Sequence, residues 1–325
     1  MDSEAVYMPT LSQGPELTAW ILSQRPSRSA VNPLEPNGFF LEEELSGSGR
    51  VVSSGGILLT NRECPWRCLM CDLWKHTLPY SVPPGAIPKQ IDYALAAFHH
   101  QPEQVKLYNS GSFFDLAAIP AQDYQPIADR VAFAERVIVE SHPRLIGDQA
   151  LRFRDLLSGS LEVAMGLETI HPDVLPRLNK RVTLDQFAKA AAYLKGNGIG
   201  VRAFVLINPP FLKGVEAVEW AVRSANFAFS SGVDVVSLIP TRPGNGALEQ
   251  LQKSGDFTPP SIAFLERALE SSLQLRAGRV FADTWDLDRF SSCPACFRRR
   301  ADRLASINLT QTVSAPAYCP HCGGQ

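Results

Sequence analysis

The sequence lacks a long apolar run, an excess of charge of one sign and the compositional bias of a fibrous or disordered chain. No stretch of about 18 apolar residues occurs, so we expect no membrane partner. Lysine and arginine number 31 against 33 aspartates and glutamates, and a net charge of −2 gives no reason to expect a polyanionic partner from the overall field. With 45% hydrophobic residues, 22 glycines and 25 prolines in 325 residues, the composition predicts a globular protein.

Cysteines are few and confined to two places. The chain has seven, of which three lie between residues 64 and 71 and four between 293 and 322. This odd number, together with a start that lacks a basic segment followed by an apolar one, argues against a secreted disulfide framework. We therefore expect reduced cysteines that bind metal, in a cytoplasmic protein.

Short apolar runs alternate with amphipathic stretches between residues 51 and 285, which predicts strand-helix units around a parallel sheet. The spacing alone allows either a partial barrel or an open doubly wound sheet, because both consist of right-handed βαβ units. In either fold, ligands bind at the carboxyl ends of the strands. Six strands are predicted, at 51–60, 104–110, 135–141, 160–168, 201–208 and 233–240, and a further apolar run at 278–285 predicts an edge strand.

The two ends of the chain do not continue this alternation. Residues 1–50, with prolines at positions 9, 15, 26, 33 and 36, predict an N-terminal extension with one short helix. From Asp286 onward the regular pattern stops, and four clustered cysteines indicate a small metal-held appendage. The expected organisation is an extension at 1–50, a core at 51–285 and an appendage at 286–325.

The first cysteine group is a CxxxCxxC motif, formed by Cys64, Cys68 and Cys71 directly after the first predicted strand. Three thiolates can hold three irons of a 4Fe-4S cube and leave the fourth iron without a protein ligand, whereas an electron-transfer cluster normally takes four cysteines. The open iron can chelate S-adenosylmethionine (SAM), so that one electron breaks a carbon–sulfur bond and gives a 5′-deoxyadenosyl radical. The alternatives are a three-cysteine zinc site, or a cluster completed by a remote cysteine.

With this motif the sequence resembles the radical SAM superfamily, although Met70 stands where an aromatic residue is more usual. Further segments are similar to the branch that contains the Elongator catalytic subunit and the tRNA methylthiotransferases, and most similar to the tRNA-modifying radical subunits of archaeosine synthase. One departure is His142, which replaces the arginine of the branch's E-[ST]-R-P motif. The similar segments are NSGSFFD (109–115), ESHP (140–143), GLET (166–169), HPDVLPRLNKRVTLDQF (171–187) and IPTRPGNGALE (239–249).

The resemblance implies a set of residues that contact SAM. Three of the segments follow the second, third and fourth predicted strands, where a ligand on the loop after the first strand would meet them. A glycine there permits close backbone approach to the cofactor's amino group, and the carboxylates suit its ammonium and ribose hydroxyls. Taken singly, such residues are more often a turn or a helix cap. The implied contacts are Gly111, Ser112, Glu140, Glu168, Asn208 (polar contact) and Ile239 (adenine packing).

The second cysteine group reads CxxC, 22 residues, CxxC, and consists of Cys293, Cys296, Cys319 and Cys322. This spacing predicts a structural zinc ribbon, in which four thiolates complete a tetrahedron and leave no open position. An auxiliary iron–sulfur cluster is the alternative. His321 is predicted to be an exposed loop residue.

Four arginines follow the first CxxC pair on a predicted helix. Such a run is most often a solvated face, but beside a zinc ribbon it is also a candidate surface for RNA phosphates. These arginines are Arg298, Arg299, Arg300 and Arg303.

The sequence thus predicts an α/β protein with a partial (β/α)6 TIM-like barrel and a small C-terminal zinc ribbon. The expected function is that of a radical SAM enzyme in tRNA nucleoside modification, and the tRNA part rests on the resemblance alone. Its expected cofactors are a 4Fe-4S cluster, SAM and structural zinc, with tRNA and a reductase or a flavodoxin or ferredoxin electron donor as partners. The alternatives are a radical SAM enzyme acting on a small metabolite and a non-enzymatic metal-binding or regulatory protein.

Overall fold

The computed structural model describes residues 14–322, and Pro9 of the predicted extension lies outside them. Eight strands form one sheet in sequential order, in which the first strand is antiparallel to the second and all others run parallel. An open doubly wound sheet reverses its strand order part-way, so this order identifies the partial barrel. The strands are β1 Gly38–Leu45, β2 Val51–Leu58, β3 Gln104–Tyr108, β4 Arg136–Ser141, β5 Ser160–Glu168, β6 Gly200–Ile207, β7 Val235–Pro240 and β8 Arg279–Ala282.

Helices connect the parallel strands and cover the outside of the sheet. A capping box between Thr183 and Gln186 begins the helix Leu184–Gly196, and Pro294 occupies the first turn of the last helix, where a missing N–H costs nothing. The helices are α1 Pro15–Gln24, α2 Ala86–Ala97, α3 Tyr124–Arg130, α4 Asp148–Leu156, α5 Val174–Arg177, α6 Leu184–Gly196, α7 Gly214–Ser230, α8 Ala247–Lys253, α9 Ile262–Leu273 and α10 Pro294–Thr310. Within residues 14–322 no helix is both long and apolar enough to span a bilayer.

The hydrophobic core lies between the outer face of the sheet and the helices. Alternate strand residues such as Leu107, Val139 and Val205 are fully buried there and share one cluster with helix residues. Burying each such side chain stabilises the fold by about 1.5–3 kcal/mol. This core holds the strand ends, and therefore the loops that follow them, in fixed positions.

The inner face of the sheet is charged at the amino ends of the parallel strands. Glu44 on β1 pairs with Arg202 on β6 at 2.6 Å, although four strands separate them in the sheet. Such a contact is possible only because the sheet curls around a lumen. Glu44 also pairs with Lys106 at 2.5 Å, and Arg202 pairs with Glu162 at 2.7 Å. These buried ions fill the amino end of the barrel.

All six predicted strands are confirmed, and the predicted edge strand is β8. The N-terminal region contains the predicted short helix, α1, but it also contributes β1, which the sequence analysis missed. The run Glu42, Glu43 and Glu44 resembles a solvated segment in sequence. In the structure Glu42 and Glu44 turn inward to meet the barrel cations, and only Glu43 is exposed.

The last helix, α10, packs on β1 and β8, and its Leu304 and Ile307 belong to the main core. It also covers the edge of β8. The Asn308 side chain bonds both the N–H and the C=O of Ala282 at 2.9 Å, and Gln311 bonds those of Val280 at 2.7 and 2.9 Å. These two amides hydrogen-bond the backbone groups that a further strand would otherwise pair with, so the outer edge of β8 is not open.

Candidate functional site

The residues predicted to form the site meet at the carboxyl ends of the parallel strands. The loop with Cys64, Cys68 and Cys71 follows β2, while Gly111 and Ser112 follow β3. Glu140 and Glu168 lie at the ends of β4 and β5, Asn208 directly follows β6, and Ile239 lies near the end of β7.

Two asparagines hold the cysteine loop in place through its backbone. Asn245 Nδ2 donates to the carbonyl oxygens of Leu69, at 2.7 Å, and Cys71, at 3.3 Å. Asn179 Nδ2 donates to the carbonyl of Arg67 at 2.8 Å. Neither asparagine has a role predicted from sequence, although Asn245 lies within the similar segment 239–249 and Asn179 within the similar segment 171–187.

A partly buried carboxylate fixes the start of the same loop. Glu63 pairs with Arg25 at 2.7 Å, Arg28 at 2.5 Å and Arg67 at 3.2 Å. Burial raises the pKa of Glu63, but hydrogen bonds from Arg25 and Arg28 outweigh it, so the pKa lies below its ordinary value. The N-terminal region therefore supports the cysteine loop directly.

The three cysteines of the loop are free thiols and are half-buried. Burial raises the pKa of each to about 12, and the nearby Lys180 ammonium partly opposes this at Cys64 and Cys68. Without a metal these groups are neutral at pH 7. Because iron binds thiolates, ligation has to displace these protons.

Gly111 lies against Cys64. A Cβ at position 111 would be 3.3 Å from the Cys64 Cβ, tighter than an ordinary contact. Glu140 Oε1 accepts hydrogen bonds from the backbone N–H groups of Asn109, at 2.6 Å, and Gly111, at 3.3 Å. Burial raises the pKa of Glu140 despite these bonds. One Glu140 oxygen thus shapes the turn that brings the glycine to the cysteine.

A stacked pair of rings lies beside the cysteines. Trp66 stacks on His142 with 3.7 Å between ring centroids and 5° between planes. The His142 ring also hydrogen-bonds the Lys180 carbonyl at 2.9 Å, and its backbone N–H donates to Ser112 Oγ at 2.8 Å. Burial lowers the pKa of His142 to about 3, so the ring is neutral at pH 7. The residue that replaces the branch's arginine is therefore an uncharged packing partner.

Glu168 forms a buried ion pair with Lys180, whose Nζ lies 2.7 Å from Glu168 Oε1. A Cβ at Gly166 would collide with both side chains, so the glycine of the GLET segment makes room for the pair. This pairing of Lys180 is not predictable from sequence, because its partner is twelve residues away and the two meet only through the turn after β5.

Three strand-end residues of the site have left-handed backbone: Ser110 (φ 54°), Glu168 (φ 64°) and Asn208 (φ 51°). For non-glycine residues this conformation costs about 1–3 kcal/mol and is concentrated at functional sites. Asn208 Oδ1 and both side-chain polar atoms of Asn109 are buried without a hydrogen-bond partner. Such groups cost about 1–3 kcal/mol each, which a bound polar ligand would recover.

Ile239 and Met70 lie in one small apolar cluster. They are partly exposed and pack with Leu206, Phe211 and Trp220 between the ends of β6 and β7. Met70, the departure from the superfamily's usual aromatic, therefore shares the surface predicted for an adenine ring.

The second cysteine group comes together around the first turn of α10, and a helix rather than a ribbon strand separates its two CxxC pairs. Its four ligand atoms all lie within 4.8 Å of one another, with sulfur–sulfur distances of 3.8 Å (Cys293 to Cys319) and 3.7 Å (Cys296 to Cys322). Tetrahedral zinc, with Zn–S bonds of about 2.3 Å, needs sulfurs about 3.8 Å apart. Among residues 14–322 no other group of three or more Cys, His, Asp or Glu is this close, so the first three cysteines are spaced more widely.

The arginine run on α10 is only half exposed. Arg300 and Arg303 are buried and pair with Glu266 of α9 at 2.5 and 3.4 Å, while Arg298 and Arg299 face solvent. The prediction that all four arginines form a surface for phosphates is therefore wrong for Arg300 and Arg303. His321 is exposed, as predicted.

The sequence profile of the radical SAM superfamily matches residues 58–223, slightly more than half of the chain. The chain belongs to the radical SAM superfamily. This confirms the predicted resemblance and makes the protein an enzyme of a superfamily that uses a 4Fe-4S cluster and SAM. The described residues fit these groups, since they offer three free thiols, a glycine in contact with one of them and unpaired buried amides at the strand ends.

The chain is also similar to curated relatives and to a solved structure. An uncharacterized protein of Methanocaldococcus jannaschii is 24% identical over 309 residues, covering 88% of this chain and 84% of the relative. Archaeosine synthase subunit beta of Methanosarcina acetivorans is 28% identical over 237 residues, covering 68% and 67%. The solved Elp3 of Methanocaldococcus infernus shares the fold, with a TM-score of 0.50 and 14% identity over 70% of this chain and 59% of that one.

Proposed function

We propose that this radical SAM enzyme binds a 4Fe-4S cluster through Cys64, Cys68 and Cys71 and cleaves SAM reductively. The observation that carries the proposal is the partition of the seven cysteines in space. The four tail cysteines lie within 4.8 Å of one another, which leaves none as a fourth ligand for the loop. The wider spacing of the loop thiols also disfavours a single zinc ion there. When bound, the cluster and SAM supply the electron and the deoxyadenosyl radical that the superfamily uses.

The protein's own residues position these groups. We propose that Asn208 Oδ1, buried and unpaired, accepts a hydrogen bond from SAM, that Glu168 binds its polar groups, and that Ile239 packs on its adenine. Gly111 brings the backbone close to the cysteine loop. Ser112 and Glu140 are the remaining residues predicted to contact SAM. Because the side chain of each already accepts backbone N–H groups, we propose that they shape the loops at the carboxyl ends of β3 and β4.

Single replacements of Cys64, Cys68 or Cys71 by Ala test the cluster proposal. Each is expected to abolish deoxyadenosine formation from SAM in the presence of dithionite, because two thiolates cannot hold the cube in the reactive geometry. Unchanged zinc content and melting temperature in the same variants are the control for folding. Retained turnover in all three would contradict the proposal.

For the tail, we propose a single structural zinc on the four cysteines, because their sulfur spacing matches one tetrahedral ion. The chain then holds one redox centre, in the 51–285 core, with the metal appendage at 286–325 and the extension at 1–50. An external reductase, flavodoxin or ferredoxin is the proposed electron donor, and the cytoplasm is the proposed location, since reduced thiols and iron–sulfur chemistry suit it.

We propose a modified tRNA nucleoside as substrate. The support is the relatives named archaeosine synthase subunit beta and the exposed Arg298 and Arg299 next to the tail metal site. Titrating tRNA at increasing salt tests this proposal, because phosphate contacts make affinity fall steeply with salt concentration. Absence of tRNA binding at low salt would favour the second candidate, a small-metabolite substrate.

A further inference from the structure

Four partly exposed aromatic rings line the inside of the barrel, and the chemistry at the cysteine loop does not use them. They are Phe40 on β1, Tyr108 on β3, Phe204 on β6 and Trp285 just after β8. Tyr108 and Phe204 approach to 6.3 Å between centroids although they lie on strands three places apart in the sheet. Phe40 and Trp285 approach to 5.1 Å from the two ends of the sheet.

Strand alternation establishes that the Tyr108 and Phe204 side chains point into the lumen. Tyr108 is two residues beyond Lys106 and Phe204 two beyond Arg202, and both cations bind Glu44 inside the barrel. Each ring is therefore one inner position closer to the carboxyl ends, and so to the cysteine loop, than the buried ions.

Strand alternation also places Phe40, on β1, inside the lumen. Phe40 is on the face of β1 that also holds Glu42 and Glu44, and its ring covers Gly56, where any Cβ would collide with it. Phe39, its neighbour in sequence, points outward and packs on Tyr93 and Phe98.

The lumen therefore has buried charged residues at the amino ends of the strands and aromatic rings closer to their carboxyl ends. Lys106, Arg202 and Glu44 are almost completely buried, so a ligand has to enter from the carboxyl ends. Both ring pairs meet edge to face, at 80° and 67°, so in each pair the partner covers at most one ring face. The Tyr108 hydroxyl has no hydrogen-bond partner within residues 14–322. Burial raises the pKa of Tyr108 to about 12, which keeps the hydroxyl a donor at pH 7.

We propose that Phe40, Tyr108, Phe204 and Trp285 bind a flat nitrogen heterocycle, the base of the substrate nucleoside, by stacking, with the Tyr108 hydroxyl bonded to a polar atom of the ring. Aromatic faces bind bases of any sequence, while a single hydroxyl distinguishes their edges. This inference rests on the proposed nucleoside substrate, and it specifies which part of the substrate the barrel recognises.

Equilibrium dialysis of guanosine against the reconstituted, SAM-loaded enzyme without reductant tests the ring site. The intact protein is expected to bind guanosine but not ribose. Trp285→Leu and Phe204→Leu are expected to weaken guanosine binding by about tenfold or more, as the loss of a stacking partner does. Phe39→Leu, next to Phe40 but on the outer face, is the matched control and is expected to leave binding unchanged.

Failure of the intact protein to bind guanosine, or equal loss in the Phe39→Leu control, would overturn the inference. Trp285 is 48% exposed, so its variant remains informative even where Phe204→Leu does not fold. Deoxyadenosine formation with dithionite, measured on the same preparation, separates the two proposals. SAM cleavage without guanosine binding overturns the ring site alone, whereas guanosine binding without SAM cleavage supports the ring site and contradicts the proposed function.

Discussion

At Gly111 the backbone comes so close to Cys64 that an added methyl group would lie only 3.3 Å from the Cys64 Cβ and would force that side chain to shift. This contact connects the end of β3 with the cysteine loop, and Glu140 maintains it by accepting the N–H groups of Asn109 and Gly111. Gly111, the cysteines and Glu168 could be proposed as site residues from sequence because each lies in a short motif next to a predicted strand end, and Asn208 because it ends the fifth predicted strand.

Gly111→Ala is expected to reduce iron content after reconstitution, and with it deoxyadenosine formation, severalfold. The added Cβ at 3.3 Å would push the Cys64 side chain away from its position, and overpacking of this kind costs about 1–3 kcal/mol. Iron analysis and product assay measure the effect. Gly147→Ala is the control, since that glycine has extended backbone and nothing within 4 Å. Equal iron content in both variants would contradict the role given to Gly111.

The contacts of other residues at the site could not be predicted from sequence. Lys180, His142 and Trp66 act through partners on different loops, and no local pattern predicts a ring stack between residues 66 and 142. Likewise, the burial of Arg300 depends on Glu266 of the preceding helix. An arginine run alone does not distinguish a buried ion pair from a solvated face.

At the scale of elements, strand-helix alternation predicted the sheet because β2 to β7 have buried outer faces and clear apolar runs. It missed β1, whose inner face is acidic, and α8, a short helix that packs on α1. Hydrophobic periodicity does not detect a strand stabilised by ions. The position of α10 on the edge of β8 was also not predictable, since it depends on two side-chain amides.

The double variant Asn308→Ala with Gln311→Ala is expected to destabilise the protein by about 2–4 kcal/mol, because four hydrogen bonds to Val280 and Ala282 are lost. Thermal unfolding measures the change as a melting temperature several degrees lower. The edge of β8 then opens, so aggregation on heating is expected to increase. Ser306→Ala, on the exposed face of α10, is the control. An unchanged melting temperature in the double variant would contradict the edge-covering role.

At the scale of the whole molecule, the charged lumen makes stability depend on pH. Burial raises the pKa of Glu44, but Arg202 and Lys106 more than reverse this, so the folded pKa lies far below the ordinary 4.5. A carboxyl group with a lowered folded pKa stabilises the protein fully above its ordinary pKa, and this contribution falls as the pH drops below that value.

We therefore expect the free energy of unfolding to fall as the pH drops from about 5 to about 3, as measured by urea denaturation. Glu44→Gln is expected to cost about 3–5 kcal/mol at pH 7, since it leaves Lys106 and Arg202 buried without their shared anion, and to weaken the pH dependence. Glu43→Gln, on the exposed face of the same strand, is the matched control. A Glu44→Gln protein as stable as the control at pH 7 would contradict this account.

The most direct test of the central claim is the metal content of the protein purified without oxygen. Three cysteines that leave one iron open and four that enclose a single ion predict about four irons, four sulfides and one zinc per chain. Zinc without iron, or about eight irons without zinc, would contradict the assignment of the two cysteine groups.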